Sequence, residues 1–261
     1  MATGKANLGE MSRDVIALPG GVMPAELRYA PLKSALASEA EIYTKDLEVY
    51  ATDAPPTDYG VDLEVEALGD FADSLGLQRF HLVGYSGGGF VSLAFAGTHP
   101  DRLLTLAVFE PAWVPGERDA EEIEWWAQLD RGLAGKTGPD FMAAFMRLQT
   151  RPDVELPPPS GPPPPWMGNR PAGLTAMIGA FGRYRFDRAS LSRVKVPVLF
   201  GYGDQTGEQE GIKASRLSRL LPDLHIRQFA GMHHFMPPER IYTTEHVAAI
   251  RELWARDTPS Q

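Results

Sequence analysis

The chain has 261 residues, no cysteine and a formal net charge of -9 at pH 7. That length can bury a full core as one large domain, with room for an inserted subdomain. Without cysteine, disulfides, thiolate nucleophiles and cysteine-ligated metals are excluded, and the acidic balance disfavours nucleic acid as a partner. A hydrophobic fraction of 43% and a charged fraction of 23% are those of a soluble globular protein. No apolar run approaches the roughly 20 residues that cross a bilayer. The opening MATGKANLGEMSRD carries a Lys with no apolar stretch behind it, so no membrane partner and no secretory signal are expected, and the cytoplasm is the default location.

In chain order, the β-prone run Val15-Ile16-Ala17-Leu18 predicts a first strand, and Glu41-Ile42-Tyr43-Thr44 a second. Residues 61 to 75 place Leu63, Leu68, Phe71 and Leu75 on one helical face, with Gly76 as a C-cap. A buried strand follows at 80 to 85, then a helix through Phe90 to Ala96, then a strand from Leu103 to Phe109. Strands alternating with helices predict a parallel α/β sheet. Between residues 113 and 190 the alternation stops. Trp125, Trp126, Phe141, Phe145 and Trp166 mix there with Met142, Met146 and Met177, and the pattern is helical at 119 to 149 and 171 to 184 around a proline cluster from Pro157 to Pro165. The α/β pattern resumes with Val196 to Phe200, a helix near 209 to 220, a strand at His225 to Phe229 and a terminal helix at about 238 to 256.

The stretch HLVGYSGGGF, residues 81 to 90, puts Ser86 at the strand-to-helix turn with Gly84 and Gly88 two residues to either side. This is the G-x-S-x-G spacing, in which a Ser on a strained turn exposes its Oγ above the sheet. A phosphate loop would need Lys-Ser/Thr after the last glycine and a dinucleotide loop G-x-G-x-x-G; neither is present. Serine is a weak nucleophile at neutral pH and needs an imidazole base, itself oriented by a carboxylate.

Three motifs in the order Ser, Asp, His supply those groups: GYSGGG around Ser86, GYGD ending at Asp204 and GMHHF around His233 and His234. With them the chain resembles the α/β-hydrolase fold family over about residues 13 to 112 and 190 to 256. The resemblance implies Ser86 as nucleophile, Asp204 as orienting acid and His234, the G-x-x-H-F position, as general base, with no cofactor and no metal. Glu110, at the end of the strand after the Ser86 helix, is the competing acid, a place some members of the fold use. The developing oxyanion would be held by the N–H groups of Gly87 and Gly21, the latter in Leu18-Pro19-Gly20-Gly21, where Pro19-Gly20 stands in place of the family's usual His-Gly. Gly20, Tyr85, Glu110 and Trp113 are the expected substrate contacts.

These readings give a sheet of about six strands, mostly or wholly parallel, because only about a dozen residues precede the first strand. A core of residues 13–112 and 190–257 is expected, with residues 113–189 as a cap. The apolar cap favours a small, largely apolar ester, thioester or lactone as partner, and Arg183, Arg185, Arg188 and Arg193 read as a solvated basic face, with a carboxylate site as the alternative. The same fold and triad also serve C-C bond hydrolases, perhydrolases and cofactor-free lyases, or a non-catalytic receptor. A monomer or homodimer is expected.

Overall fold

The computed structural model describes residues 13–156 and 161–257. The strands among them are β1 (Arg13–Leu18), β2 (Ala40–Thr44), β3 (Phe80–Tyr85), β4 (Leu103–Phe109), β5 (Val198–Gly203) and β6 (Leu224–Phe229). They form one sheet in the order β2-β1-β3-β4-β5-β6, parallel throughout. Every residue of β3 is buried, which is why its sequence is a continuous apolar run and not an alternation. From β1 the chain moves outward to β2 and then back across to β3. The carboxyl ends of β1 and β3 therefore flank a switch point, where such sheets open a crevice.

Helices α1 (Ala25–Leu36), α2 (Val61–Ser74) and α3 (Gly87–Thr98) follow β1, β2 and β3 in turn. Gly76, at φ 74, closes α2 in the left-handed region a side chain would resist. Between β4 and β5 the chain forms α4 (Ala120–Leu133), α5 (Gly138–Leu148) and α6 (Arg170–Arg183). After β5 come α7 (Gln209–Leu220), α8 (Pro238–Ile241) and α9 (Thr244–Arg256). Two apolar clusters cover the sheet. One joins α2, α3 and the inserted helices through residues such as Leu68, Phe95, Trp126 and Phe181. The other packs Tyr29, Leu36, Ile250 and Trp254 of α1 and α9 against Val15, Val83 and Leu199.

Three expectations are corrected. The helical stretch expected over 119 to 149 is two helices, because Gly135 (φ 69) and Gly138 (φ 50) turn the chain between them. The terminal helix is likewise divided, with Tyr242 and Thr243 between α8 and α9. The basic face is not uniformly solvated, since the half-buried Arg188 is held in an ion pair with Glu122 and Arg193 donates to the Gly97 carbonyl (3.1 Å). Of the proline cluster, residues 157–160 lie outside the described residues, and Pro165–Met167 is a single 3-10 turn.

The inserted segment is pinned by Glu122, whose side chain is fully buried. Its carboxylate accepts from both Nη atoms of Arg188 (2.8 Å each), the Trp113 indole N–H (3.0 Å) and the Asp119 N–H (3.0 Å), the last completing a capping box at the start of α4. Burial pushes the Glu122 carboxyl up, but the Arg188 bond and the other donors outweigh it and hold it below its ordinary range. One carboxylate thus ties the beginning of the insertion to its end. Glu122→Gln should leave Arg188 without its counter-ion and cost about 3 kcal/mol, read as a lower urea midpoint at unchanged slope.

Candidate active site

Ser86 sits between β3 and α3 at φ 52 and ψ -115, a conformation costly for any residue but glycine. Its flanking glycines are required by contact. A Cβ on Gly84 would lie 2.3 Å from Ser92 Oγ, and one on Gly88 would lie 2.5 Å from the Pro19 carbonyl oxygen. The Gly88 N–H donates to that Pro19 oxygen (2.9 Å), which ties the loop after β1 to the elbow. Ser86 is 7% exposed.

His234 and Glu110 complete a line of hydrogen bonds. His234 Nε2 is 3.0 Å from Ser86 Oγ, and His234 Nδ1 is 2.7 Å from Glu110 Oε2. Oε1 of Glu110 accepts from the Gly203 N–H (2.7 Å) and from Thr206 Oγ1 (2.5 Å). Both carboxylate oxygens are therefore engaged and the side chain is buried, so Glu110 faces His234, Gly203 and Thr206 and not the substrate contact expected of it. A hydroxyl bonded to an imidazole that is oriented by a carboxylate is the arrangement that activates serine as a nucleophile.

The acid expected at Asp204 is corrected. Asp204 Oδ1 accepts the Gly231 N–H (2.8 Å), shaping the loop that leads to His234, and it makes no bond to the imidazole. Glu110, not Asp204, meets His234. Of the paired histidines, His233 Nδ1 accepts the Phe235 N–H (3.2 Å) and stays within its own loop.

The loop after β1 faces the elbow closely. A Cβ on Gly20 would lie 2.9 Å from Ser86 Cβ, and one on Gly87 would lie 3.7 Å from the Gly21 nitrogen. The Gly21 nitrogen thus lies beside Gly87, the residue after Ser86. The Gly21 carbonyl accepts the Tyr50 hydroxyl (2.6 Å), which fixes this loop from behind. Tyr85 and Trp113 are corrected as substrate contacts. The Tyr85 ring stacks on His234 (5.2 Å) with its hydroxyl bonded to the His234 carbonyl, and Trp113 is buried against Trp125 (4.4 Å) and Glu122. From above, α6 lays Leu174 and Met177 over the site: Cβ atoms on Gly21 and Gly87 would meet Leu174 Cδ2 at 2.5 Å and Met177 Cε at 2.2 Å.

A family model described as the alpha/beta hydrolase fold matches residues 15–206. The chain belongs to the α/β-hydrolase fold family. Over 99 residues it is 34% identical to a putative carbamate hydrolase, RutD, of Caulobacter segnis, a match spanning 37% of each chain. The chain therefore aligns with well under half of that relative's length. Its fold is that of a thermophilic esterase from Thermogutta terrifontis (TM-score 0.68, 19% identity, covering 94% of this chain and 90% of that one). It also matches carboxylesterase CesB from Bacillus subtilis (TM-score 0.63, 20% identity, covering 92% and 84%).

The electrostatics of this α/β hydrolase favour a neutral imidazole beside a charged acid. Burial disfavours the imidazolium and lowers His234 below its ordinary value, with the Glu110 hydrogen bond opposing. Burial also pushes Glu110 up, but the bonds from His234, Thr206 and Gly203 outweigh it and hold the carboxyl below its ordinary range. Burial moves His81 and His246 down to about 4, in keeping with neutral rings packed in the core. His81 bonds Thr105 Oγ1 (2.9 Å) and His246 stacks on Phe229 (3.5 Å). No helix among the described residues is long and apolar enough to cross a membrane.

Sequence reasoning missed Gly203, Thr206, Tyr50, Leu174 and Met177. The first ends β5 and the second lies just after it, on either side of Asp204, so the motif that drew attention to Asp204 also marked the clamp on the partner that His234 meets.

Two outcomes follow from this geometry. Glu110→Gln should lower kcat by about 1000- to 10,000-fold through the wrong imidazole tautomer. Asp204→Asn still accepts the Gly231 N–H and should cost less than about 5-fold; steady-state kinetics of the two variants decide the acid. Burial lowers the His234 pKa, so an activity that needs its neutral imidazole as base should hold kcat/KM through neutral pH and lose it only below the ordinary His value of 6.5. Glu110→Gln removes the group that raises that pKa, so the residual activity of the variant should keep its acid limb at still lower pH.

Proposed function

We propose that the protein is a serine hydrolase that cleaves small carboxylic esters, thioesters or lactones through an acyl-enzyme on Ser86. The observation that carries this reading is the line Ser86 Oγ, His234, Glu110, with bonds of 3.0 and 2.7 Å. Ser86 Oγ attacks the carbonyl carbon while His234 Nε2 takes its proton, and Glu110 stabilises the imidazolium through Nδ1. The carbonyl oxygen gains the negative charge and is received by the N–H groups of Gly87 and Gly21, an interaction worth about 100- to 1000-fold in rate per donor. Collapse breaks the bond to the leaving oxygen or sulfur, which takes the proton from Nε2. A water then gives a proton to His234 and attacks the acyl carbonyl, and Ser86 leaves with the proton returned.

The likeness to a carbamate hydrolase adds carbamates to the substrates worth assaying, since the same attack applies to a carbamate carbonyl. Exposure to a fluorophosphonate should add one phosphonyl group to the intact mass of the wild type and none to Ser86→Ala. An unmodified wild type that also leaves short-chain esters untouched would make the protein a binder and not a catalyst.

A further inference from the structure

Arg170, the first residue of α6, is 4% exposed, yet its Nε and Nη1 atoms are buried without a hydrogen-bond partner. No carboxylate among the described residues forms an ion pair with it, whereas Arg188 of the same inserted segment is fully paired with Glu122. The guanidinium instead lies 3.8 Å from the centroid of Tyr50 and 5.6 Å from that of Trp166. Those rings offset part of the cost of a buried cation, but they leave Nε and Nη1 unsatisfied.

The place of this cation matters more than its burial. Tyr50 carries Arg170 on its ring and holds the Gly21 carbonyl with its hydroxyl, so the guanidinium stands one side chain away from the proposed oxyanion loop. Arg170, Leu174 and Met177 follow one another at helical spacing, and the last two lie against Gly21 and Gly87. Arg170 therefore sits one turn, about 6 Å along the axis, from the side chain that touches Gly21. It also opens a 14-residue helix whose first intrahelical bond comes from the Gly173 N–H, so the Arg170 and Ala172 N–H groups point out of the N-terminus. Asn169, just before it, has a buried Oδ1 without a donor, and rotation of that amide presents two more N–H groups.

We infer that Arg170, with the N-terminus of α6, binds a carboxylate on the substrate's acyl arm, about three to five bonds from the carbonyl that Ser86 attacks. This rests on the acyl-enzyme reading and names its substrate class: half-esters of short dicarboxylic acids in place of the largely apolar esters, thioesters or lactones that the cap composition suggested. A carboxylate there supplies an acceptor for a buried N–H that the guanidinium leaves without one.

The test compares the mono-4-nitrophenyl ester of glutaric acid with 4-nitrophenyl pentanoate, in which a methyl group replaces the carboxylate. Wild type should favour the anionic ester in kcat/KM, and Arg170→Met should lower that preference by about 10- to 100-fold, chiefly through KM. Arg170→Lys should keep part of it. Met has the volume to fill the site and removes an unpaired buried charge, so the melting temperature of Arg170→Met should not fall. Free glutarate should raise the melting temperature of Ser86→Ala but not of Ser86→Ala carrying Arg170→Met. An equal loss for both esters, with a lower melting temperature and no glutarate effect, would make Arg170 a structural stacking residue and overturn the inference. If wild type cleaves neither ester and takes no fluorophosphonate, the acyl-enzyme reading fails instead, and the glutarate shift alone then decides whether the carboxylate site exists.

Discussion

The site depends on two residues held in a backbone conformation that each resists. Ser86 (φ 52) and Glu110 (φ 46) are the only non-glycine residues with positive φ among those described, and such a residue costs on the order of 1–3 kcal/mol. They are bonded to each other's surroundings. The Ser86 N–H donates to the Phe109 carbonyl (3.1 Å), the Ala112 N–H donates to the Ser86 carbonyl (2.7 Å), and the Glu110 N–H donates to Gly201 on β5 (2.9 Å). The elbow after β3 and the turn after β4 are thus one hydrogen-bonded unit. Neither can relax to an ordinary conformation without breaking bonds of the other. The consequence is geometric: the hydroxyl and the carboxylate are set relative to each other before any substrate arrives, which is how positioning lowers a barrier.

A buried carboxylate in such a unit must be satisfied or it will protonate. Glu110 receives three donors, and the next residue extends the support outward. The Pro111 carbonyl accepts from Lys213 Nζ (2.6 Å), itself paired with Glu210 (2.5 Å), and both side chains are buried in α7. Burial pushes Glu210 up to about 7 against the pull of Lys213. Lys213 anchors the turn by its bond to Pro111, while its charge opposes an imidazolium at His234. Direct contact with Glu110 at 2.7 Å favours that imidazolium more strongly than the more distant cation opposes it. Glu110 therefore favours a charge on His234 without keeping His234 charged at rest.

How much of this was legible follows from what each residue answers to. The six-stranded parallel sheet was readable because buried strands make apolar runs punctuated by turns. The elbow was readable because close contacts at Gly84 and Gly88 leave no room for a side chain, so the chemistry shows as composition. The acid was not. Glu110 and Asp204 directly follow strands β4 and β5 at the same carboxyl edge of the sheet, and which one meets His234 depends on how the Gly231 to Phe235 loop folds back. That is a tertiary outcome: Gly231 (φ 69) turns the loop, Asp204 caps its N–H, and the imidazole is delivered to Glu110. The Glu-Pro pair after β4 was the available signal, since a turn directly opposite the elbow must be built from residues close to Ser86. Helix α1 went unread because Pro31 stands inside it and its apolar residues form no clear stripe. Arg170 was equally hidden, because nothing in a sequence tells a buried, unpaired arginine from a solvated one.

The same contacts that shape the pocket also say how it opens. Helix α6 is fixed near its C-terminal end by Phe181 stacked on Phe90 (4.0 Å, planes 9° apart) and near its start by Tyr50, where a Cβ on Gly173 would lie 2.0 Å from the ring. Lifting the whole helix would expose Phe181 and part it from Phe90, a loss on the scale of about 3–5 kcal/mol for a buried aromatic. Turning Met177 away from Gly87 requires only rotation of an unbranched thioether, for which the cost of leaving one rotamer is about 1 kcal/mol. Local rotation therefore wins over movement of the helix. Met177 can then leave Gly87 while Arg170, nearly two turns away, stays stacked on Tyr50. The wall of the site is therefore soft at Met177 and stiff at Arg170.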